Sequence, residues 1–462
     1  MHPPWSRSAR HVGALLAICL AAPVARSQVP SDSAVRVMLQ QRVQSGAVKG
    51  IVTGTIDPNG TRRVIAAGTT GKPDLPLDAN TVFEIGSISK TFTNTILADM
   101  VLKGEVSLDD PVQKFLPASV KVPTRSGKQI TLLDLATASS GLPRMPANFH
   151  PADDKNPYAD YSVQQMYDFI TSYTLPRDPG AKYEYSNLGM GLLGHALALR
   201  AGKSYEALLI ERVLAPLGMT STRITLTPAM RGAMAQGYDE AGRAQGPWDL
   251  PTLAGAGAIR STIGDMLKYM AAQRDTTTGP LARAIALTHH VMRAGGNATT
   301  SMGLGWHLLS VQGRTIVFHN GQTGGYHGFM AIDPQTGANA VMLTNTGTSI
   351  DDIGFHLIDS TAPLKAPAKA RVEVKVAPAI LAAYVGVYRF APTFAIAVTL
   401  ENGALVAQAT GQPKFSLFAE SETDFFLKEV DAQVTFERSG TGPASAIVLH
   451  QSGANQRAPR AP

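Results

Sequence analysis

Three short motifs in this sequence place side chains at spacings that allow proton transfer and attack on a carbonyl. Ser87 and Lys90 form its one Ser-x-x-Lys match, Tyr185 and Asn187 its one Tyr-x-Asn match, and His319 begins His-Asn-Gly. Residues three apart share a helix face, so the Lys90 amine can reach the Ser87 hydroxyl. A serine hydroxyl is a poor nucleophile until a base takes its proton. The first motif therefore suggests a serine nucleophile with a basic partner.

Each motif also has a purely structural interpretation. A chain of this length and ordinary composition should contain about two Ser-x-x-Lys matches by chance, and Ser87 could simply cap a helix. Tyr185 could be a loop tyrosine packed on the core, and His319 a turn residue on a polar edge strand. The catalytic interpretation of Tyr185 is a phenol beside a lysine ammonium, which would lower the phenol pKa from about 10. The three motifs together, in this order, favour catalysis.

Composition limits the class of protein. With 44% hydrophobic residues, 43 glycines and 30 prolines, the 462-residue chain is typical of a soluble globular protein with many turns. The formal net charge of +6 comes from scattered lysines and arginines. Basic stripes interleaved with aromatic residues are missing, so no nucleic-acid partner is expected.

The N-terminus has the pattern of a secretory signal peptide. Arg7 and Arg10 precede the apolar run "VGALLAICLAA", and small residues stand before a cleavage point after residue 27. The run is too short to span a bilayer, and no later segment is apolar enough, so no membrane span is expected. We predict cleavage of residues 1–27 and a periplasmic or secreted location. The single cysteine, Cys19, lies in this segment, so the mature chain has no disulfide and no thiolate metal ligand.

The arrangement of elements predicts an α+β domain over residues 28–360. "VKGIVTGTI" and "TRRVIAAGTTG" form a hairpin, helices follow at 89–103, 131–138, 188–201 and 205–217, and strand patterns return in "GRTIVFHNG" and "GFMAIDPQTGANAVMLTN". Thr131 and Asp134 fit a capping box. Strands at both ends with helices between them indicate a mixed sheet completed late in the sequence.

The last part of the chain has a different pattern. Residues 361–379 are rich in Pro, Ala, Lys and Val and are typical of a linker. From residue 380 to 462 the pattern is almost entirely β, as in "FAIAVTLENGALVAQATG", where apolar residues alternate and the chain turns at Asn402-Gly403. Short strands joined by hairpins predict a small closed barrel.

At this point the sequence resembles the serine β-lactamase and penicillin-recognising peptidase superfamily, on the class C side. The similarity runs from about residue 30 to 360 and is carried by "FEIGSISKTFT", "GEVSLDDPVQKFLP", "ITLLDLATASSGLP", "PGAKYEYSNLGMGLLG" and "APLGMTST". The resemblance implies a class C-like mixed antiparallel sheet with flanking helices and an all-helical subdomain. The tail, with "YVGVYRF" and "ETDFFLKEVDAQVTF", resembles the lipocalin-like barrel of some peptidases in the superfamily.

The resemblance also implies the roles of the site residues. Ser87 is the nucleophile, and Lys90 and Tyr185 form the proton-transfer pair, with Tyr185 as the base. Asn187 binds the amide side chain of the substrate. The backbone N–H groups of Ser87 and Gln322 form the oxyanion hole, and His319, Gly321 and Gln322 line the substrate site. The expected substrates are peptidoglycan-type D-Ala peptides and the β-lactams that mimic them.

His319 departs from the superfamily's usual pattern, because many members carry Lys-x-Gly there and this chain contains none. A histidine with an ordinary pKa near 6.5 is only partly charged at neutral pH, and its affinity for a substrate carboxylate should weaken as the pH rises. An esterase using the same site, and a β-lactam-binding protein without turnover, therefore stay open as alternatives. Adjacent His289 and His290 point to different sides of a helix, so we expect no metal and no organic cofactor.

Overall fold

Residues from the two ends of the first domain meet in one antiparallel sheet. The computed structural model describes residues 29–279, 281–365, 373–392, 394–412, 414–427, 432–451 and 454–461. The predicted signal peptide, 1–27, lies outside these residues.

Helices and strands alternate in the first part of the described chain, and strands dominate the last part. The helices are α1 (Asp32–Gln44), α2 (Ser89–Leu102), α3 (Leu132–Ala136), α4 (Val163–Ser172), α5 (Asn187–Ala201), α6 (Tyr205–Leu209), α7 (Pro228–Ala233), α8 (Ala254–Gly257), α9 (Ile263–Arg274), α10 (Ala282–Thr288), α11 (Asp351–Ile358) and α12 (Pro378–Tyr384). The strands are β1 (Gly50–Ile56), β2 (Arg62–Gly68), β3 (Val82–Glu84), β4 (Gly237–Tyr238), β5 (Ala244–Gln245), β6 (Arg260–Thr262), β7 (Arg293–Ala294), β8 (Thr300–Met302), β9 (His307–Val311), β10 (Arg314–Gln322), β11 (His327–Ile332), β12 (Asn339–Thr344), β13 (Gly386–Ala391), β14 (Phe394–Glu401), β15 (Ala404–Ala409), β16 (Lys414–Ala419), β17 (Asp424–Phe426), β18 (Ala432–Glu437), β19 (Ala446–Gln451) and β20 (Ala454–Pro459).

The large sheet has the strand order β2-β1-β12-β11-β10-β9-β8-β7. The predicted N-terminal hairpin is confirmed as β1 and β2, and β1 also pairs with β12, with Val52 opposite Leu343. The prediction that late strands complete the sheet is therefore confirmed. β10, which carries the His-Asn-Gly motif, lies inside the sheet between β9 and β11.

Helices cover both faces of this sheet. α1 and α11 pack on one face, where Leu39 and Ile353 bury their side chains against Phe329. α9 packs on the other face through contacts with β1 and β12. Beyond α9, α2 is surrounded by protein, and every residue from Ser89 to Met100 is buried. A helix that is buried on all sides can hold a polar side chain in a dry environment.

The predicted helices are found with small differences at their ends. α2 ends at Leu102 with Gly104 in a left-handed conformation at φ 70°, and α3 begins with the expected capping box of Thr131 and Asp134. The prediction of one continuous α-helix over residues 205–217 is wrong in one respect. α6 ends at Leu209, and a π-helical turn covers Ile210–Leu214, where the Ala215 N–H donates to the Ile210 carbonyl at 2.8 Å. Pro216 has no N–H to continue the α-helical ladder.

The C-terminal strands form a nearly closed eight-stranded barrel. β13 to β20 pair in sequence order, and Tyr388 on β13 bridges to Arg460, beside the last strand. Aromatic side chains fill its core, where Phe436 stacks on Tyr384 with ring centroids 4.1 Å apart. The alternating pattern that predicted the barrel corresponds to this filled interior.

The division into a 28–360 domain, a linker over 361–379 and a barrel over 380–462 stays a prediction. α11 ends at Ile358, and α12 begins at Pro378, within the last residues of the predicted linker. Among the helices of the described residues, none combines the length and apolarity needed to cross a membrane.

A buried ion pair ties the N-terminal helix to the end of the first domain. The Arg42 guanidinium on α1 binds the Asp352 carboxylate on α11, with side chains only 10% and 8% exposed, and also donates to the Lys365 carbonyl at 2.8 Å. Removing one partner of a buried pair typically costs about 3–5 kcal/mol, because the other charge stays buried and unpaired. The equivalent change at Arg36, exposed on the same helix, removes no such pair.

We therefore expect Arg42→Met to lower the thermal unfolding midpoint by at least roughly 6 °C, and Arg36→Met to change it by less than about 2 °C. Thermal melts followed by circular dichroism would measure both. Equal midpoints for the two variants would show that the pair contributes little to stability.

Candidate active site

Ser87 lies on a tight turn that feeds directly into the buried helix α2. A 3-10 turn spans Gly86–Ile88, and α2 follows at Ser89, so Lys90 stands in the first helical turn. Gly86 has a φ of 51°, and a Cβ built on it would lie 2.6 Å from the Gln322 backbone nitrogen. Glycine is therefore required at residue 86 both for conformation and for space.

The Lys90 amine contacts three polar groups from three different elements. Its Nζ lies 2.9 Å from the Ser87 Oγ, 2.9 Å from the Asn187 Oδ1 and 2.7 Å from the Ala256 carbonyl oxygen. The side chain is 3% exposed, and within the described residues no carboxylate pairs with it. Burial, reinforced by the positive charge of Arg144, lowers the pKa of Lys90 well below its usual value. The neutral form of the amine, which can accept a proton, is therefore more populated than it would be in water.

Tyr185 and Asn187 are held at the start of α5. Ser186 caps this helix, since its Oγ accepts from the Gly189 N–H at 2.8 Å and donates to the Pro143 carbonyl at 2.6 Å. The Tyr185 ring centroid lies 4.8 Å from the Lys90 Nζ. The structure thus brings both residues of the Tyr-x-Asn motif to the Ser87 turn.

The expected direction of the Tyr185 pKa shift is wrong. Burial raises the pKa of Tyr185 above its usual value, and this effect outweighs both a hydrogen bond with Ser87 and the charge of Arg144. The sequence argument required a charged lysine beside the phenol, whereas desolvation disfavours charge on both groups. Tyr185 therefore holds its proton in the free protein, and Lys90 is the better proton acceptor.

Gly321 allows strand β10 to approach the serine turn. A Cβ built on Gly321 would lie 2.1 Å from the Ile85 carbonyl oxygen and 2.8 Å from the Ser87 backbone nitrogen. Backbone therefore packs on backbone, which places Gln322 beside the Ser87 turn. The assignment of the Ser87 and Gln322 N–H groups to an oxyanion hole stays a prediction that is compatible with this contact.

His319 lies in the site but does not have the ordinary pKa expected from the sequence. The ring is 2% exposed, its Nδ1 lies 2.5 Å from the Asn320 carbonyl oxygen, and its centroid lies 5.2 Å from that of His307. Burial, followed by the charges of His307 and Lys90, lowers the pKa of His319 well below 6.5. The partial positive charge expected at neutral pH is therefore absent.

The sequence analysis missed three residues around the site. The His307 ring lies beside His319, tilted by 58° to it, and burial lowers the pKa of His307 to about 4. The Tyr158 ring centroid lies 5.3 Å from that of Trp248, and its hydroxyl and the Asn187 Nδ2 both approach the Met145 sulfur. Arg144 lies against Tyr185, with its Cζ 5.0 Å from the ring centroid. The segment "ITLLDLATASSGLP", which carries part of the family resemblance, ends one residue before Arg144. This closeness was the one feature of the sequence that pointed to Arg144.

In the part of the chain that the structure describes, no group of three or more His, Cys, Asp or Glu side chains is placed to hold a metal ion.

Comparisons with known families match both parts of the chain. The β-lactamase family model matches residues 35–362, and a domain of unknown function, DUF3471, matches residues 370–458. A D-alanyl-D-alanine-carboxypeptidase/endopeptidase, AmpH, from Escherichia coli K12 is 29% identical over 385 residues, covering 77% of this chain and 96% of the relative.

Solved structures share the fold. A class C β-lactamase from Rhodobacter sphaeroides superposes with a TM-score of 0.59 at 24% identity, covering 69% of this chain and 95% of that one. An octameric penicillin-binding protein homologue from Pyrococcus abyssi gives a TM-score of 0.62 at 21% identity, covering 92% and 99%. The expected fold, a class C-like mixed sheet with helices and a C-terminal barrel, is confirmed.

A neutral His319 predicts a specific pH behaviour. Because the His319 pKa lies well below 6.5, the imidazole gains no charge between about pH 6.5 and 8 and cannot alter carboxylate binding there. The rate constants for acylation by benzylpenicillin and by its neutral methyl ester should therefore keep a constant ratio across this range. Stopped-flow acylation would measure both, and His319→Gln should give an equally flat ratio. A ratio that falls with rising pH in the wild type alone would assign a charged His319 to the carboxylate.

Proposed function

This chain belongs to the β-lactamase family and is a serine hydrolase of that type; we propose that Ser87 forms an acyl-enzyme with D-Ala-type peptides or with β-lactams that mimic them. The name of the AmpH relative supports this class of substrate. The superposition with β-lactamase structures supports the fold on which such a site is built.

The observation that carries the proposal is the set of contacts around the Lys90 amine. A neutral amine has two N–H donors and one lone pair. The Ala256 carbonyl and the Asn187 Oδ1 can accept the two N–H groups, at 2.7 and 2.9 Å, which leaves the lone pair for the Ser87 hydroxyl at 2.9 Å. This arrangement orients the base toward the nucleophile before any substrate arrives.

Acylation then transfers one proton, in net terms, from the Ser87 hydroxyl to the leaving nitrogen. Ser87 Oγ attacks the carbonyl carbon as its proton passes to Lys90, and the bond to the leaving nitrogen breaks. Tyr185, whose ring faces the Lys90 amine and whose pKa is raised by burial, donates its proton to the nitrogen. The proton on Lys90 then returns to the Tyr185 phenolate, so the serine proton is carried by the amine product in the net reaction.

The remaining site residues bind the substrate. The Asn187 Oδ1 is used by Lys90, so its Nδ2 is the group available to an amide carbonyl on the acyl side. Gly321 and His319 form the wall opposite, and the N–H groups of Ser87 and Gln322 stabilise the oxyanion. His319 contributes a neutral surface there and no charge.

A second candidate, an esterase, is favoured by one observation. Because His319 is neutral, this wall offers no cation for the carboxylate of a leaving group. An ester without such a carboxylate therefore binds there with no loss of affinity relative to a substrate that carries one. A binding protein without turnover would gain nothing from an amine poised on Ser87.

The location and the domain division are part of the proposal. The pattern of residues 1–27 supports export to the periplasm or secretion. The two family matches, 35–362 and 370–458, support a hydrolase domain over 28–360, a linker at 361–379 and a separate domain from residue 380.

Penicillin should acylate the mature protein once, on Ser87. Incubation with benzylpenicillin should raise the intact mass by one penicillin, and Ser87→Ala should abolish the adduct because it removes the nucleophile. Ser89→Ala, a change of the neighbouring serine in the same turn, should retain the adduct. An unchanged mass of the wild-type protein would contradict the proposal, and following the adduct over time separates turnover from simple binding.

Lys90 and Tyr185 should differ in their effects on esters and β-lactams. Lys90→Ala should lower acylation by benzylpenicillin and by p-nitrophenyl acetate at least about 100-fold, because both need the base. Tyr185→Phe should slow benzylpenicillin by a similar factor and the ester much less, since p-nitrophenolate leaves without a proton.

Stopped-flow acylation and p-nitrophenol release would measure these rates, with Tyr183→Phe as the control for loss of a neighbouring phenol. If Tyr185→Phe slows the ester as strongly as the penicillin, Tyr185 is the base and Lys90 supports it.

A further inference from the structure

Arg144 is built into the active site by its backbone. Its carbonyl oxygen accepts from the N–H groups of Asn187 and Leu188, at 3.0 and 3.3 Å, at the start of α5. The preceding residue, Pro143, accepts from the Ser186 hydroxyl. The loop that carries Arg144 is therefore fixed to the same helix turn that positions Tyr185 and Asn187.

The guanidinium lies beside the Tyr185 ring, and none of the carboxylates that the structure describes pairs with it. Its Cζ is 5.0 Å from the centroid of the Tyr185 ring, which also faces the Lys90 amine at 4.8 Å. The residue is exposed, and among the described side chains no carboxylate forms an ion pair with it. By contrast, Arg212 pairs with three carboxylates and Arg314 with two.

The nearby lysine does not compete with Arg144 for an anion. Burial, and after it the charge of Arg144, lowers the pKa of Lys90, which favours the neutral amine. A carboxylate that approaches the guanidinium can form two parallel charge-assisted hydrogen bonds, a geometry that arginine favours. His319 cannot take this role, because it is buried and neutral.

The side of the site on which Arg144 lies is set by its neighbours. Its carbonyl oxygen accepts from the Asn187 N–H at 3.0 Å, and its guanidinium lies against the ring of Tyr185, two residues before Asn187. Arg144 therefore belongs to the Asn187 side, where the acyl portion of the substrate binds in the proposed reaction.

We propose that Arg144 recognises a carboxylate in the acyl portion of the substrate, so that the enzyme prefers acyl groups that carry an acidic side chain. This inference rests on the proposed function, because it takes Ser87 as the acylated residue and Asn187 as the acyl-side contact. The preferred substrates are then peptides with a free carboxylate on the acyl side of the scissile bond.

The test uses two penicillins that differ by one carboxylate. Carbenicillin carries an additional carboxylate on the acyl side chain of benzylpenicillin, and both share the carboxylate on the leaving-group side. The ratio of their acylation rate constants therefore isolates the acyl-side charge and cancels any effect that acts through Lys90. Arg144→Gln should lower the carbenicillin to benzylpenicillin ratio about tenfold, or about 1.4 kcal/mol, and Arg144→Lys should lower it less.

Arg62→Gln, a change of an exposed arginine on the edge strand β2, should leave the ratio unchanged. Intact-mass time courses at one pH would give the rate constants, and Arg144→Met provides a second neutral variant should Arg144→Gln be poorly folded. An unchanged ratio in the neutral variants, even with both penicillins slowed equally, overturns the inference and leaves the proposed function in place. A wild-type protein that neither penicillin acylates overturns the proposed function and this inference with it.

Discussion

The active site depends on an amine that is buried without a carboxylate to balance its charge. Lys90 stands in the first turn of α2, a helix covered on every side, and its hydrogen-bond partners among the described residues are neutral oxygens from α5, α8 and the serine turn. A buried ammonium there would be costly, so the surroundings select the form that can take a proton from Ser87. The helices α5 and α8 are needed because each supplies one acceptor that orients the amine.

The sheet provides the opposite wall of the same site. The contact between the Gly86 turn and Gly321 brings two backbones together without side chains between them, and this closeness places β10 directly beside Ser87. Residues 319–322 of β10 pair with β11, and the start of the same strand pairs with β9 through Phe318, so the strand is anchored in the sheet on both sides of this point. A rigid strand and a rigid helix therefore meet at the serine, which suits a site that must hold its donors in place before the reaction.

Much of this arrangement could be predicted from the sequence, and the limits have physical causes. The three motifs contain Ser87, Lys90, Tyr185, Asn187 and His319, and the structure brings all five together. Short spacings determine the geometry within each motif, whereas the meeting of the three motifs was expected from the family resemblance. The directions of the Tyr185 and His319 pKa shifts could not be predicted, since burial depends on packing by distant segments. Arg144 has no partner within its own segment, so no local pattern distinguishes it from any other loop arginine.

The pairing of β1 with β12 has a consequence for how the chain folds. The Thr344 hydroxyl bonds to the Gly50 carbonyl across a separation of 294 residues, and the whole of β1 depends on that distant partner for one of its edges. Contacts this remote in sequence close slowly, because the intervening loop must first be ordered. During synthesis β1 and β2 emerge first and expose an unpaired edge until β12 follows, and an open edge is where chains associate wrongly. The first strands of this sheet therefore keep an edge open to other chains until the segment around Thr344 is in place.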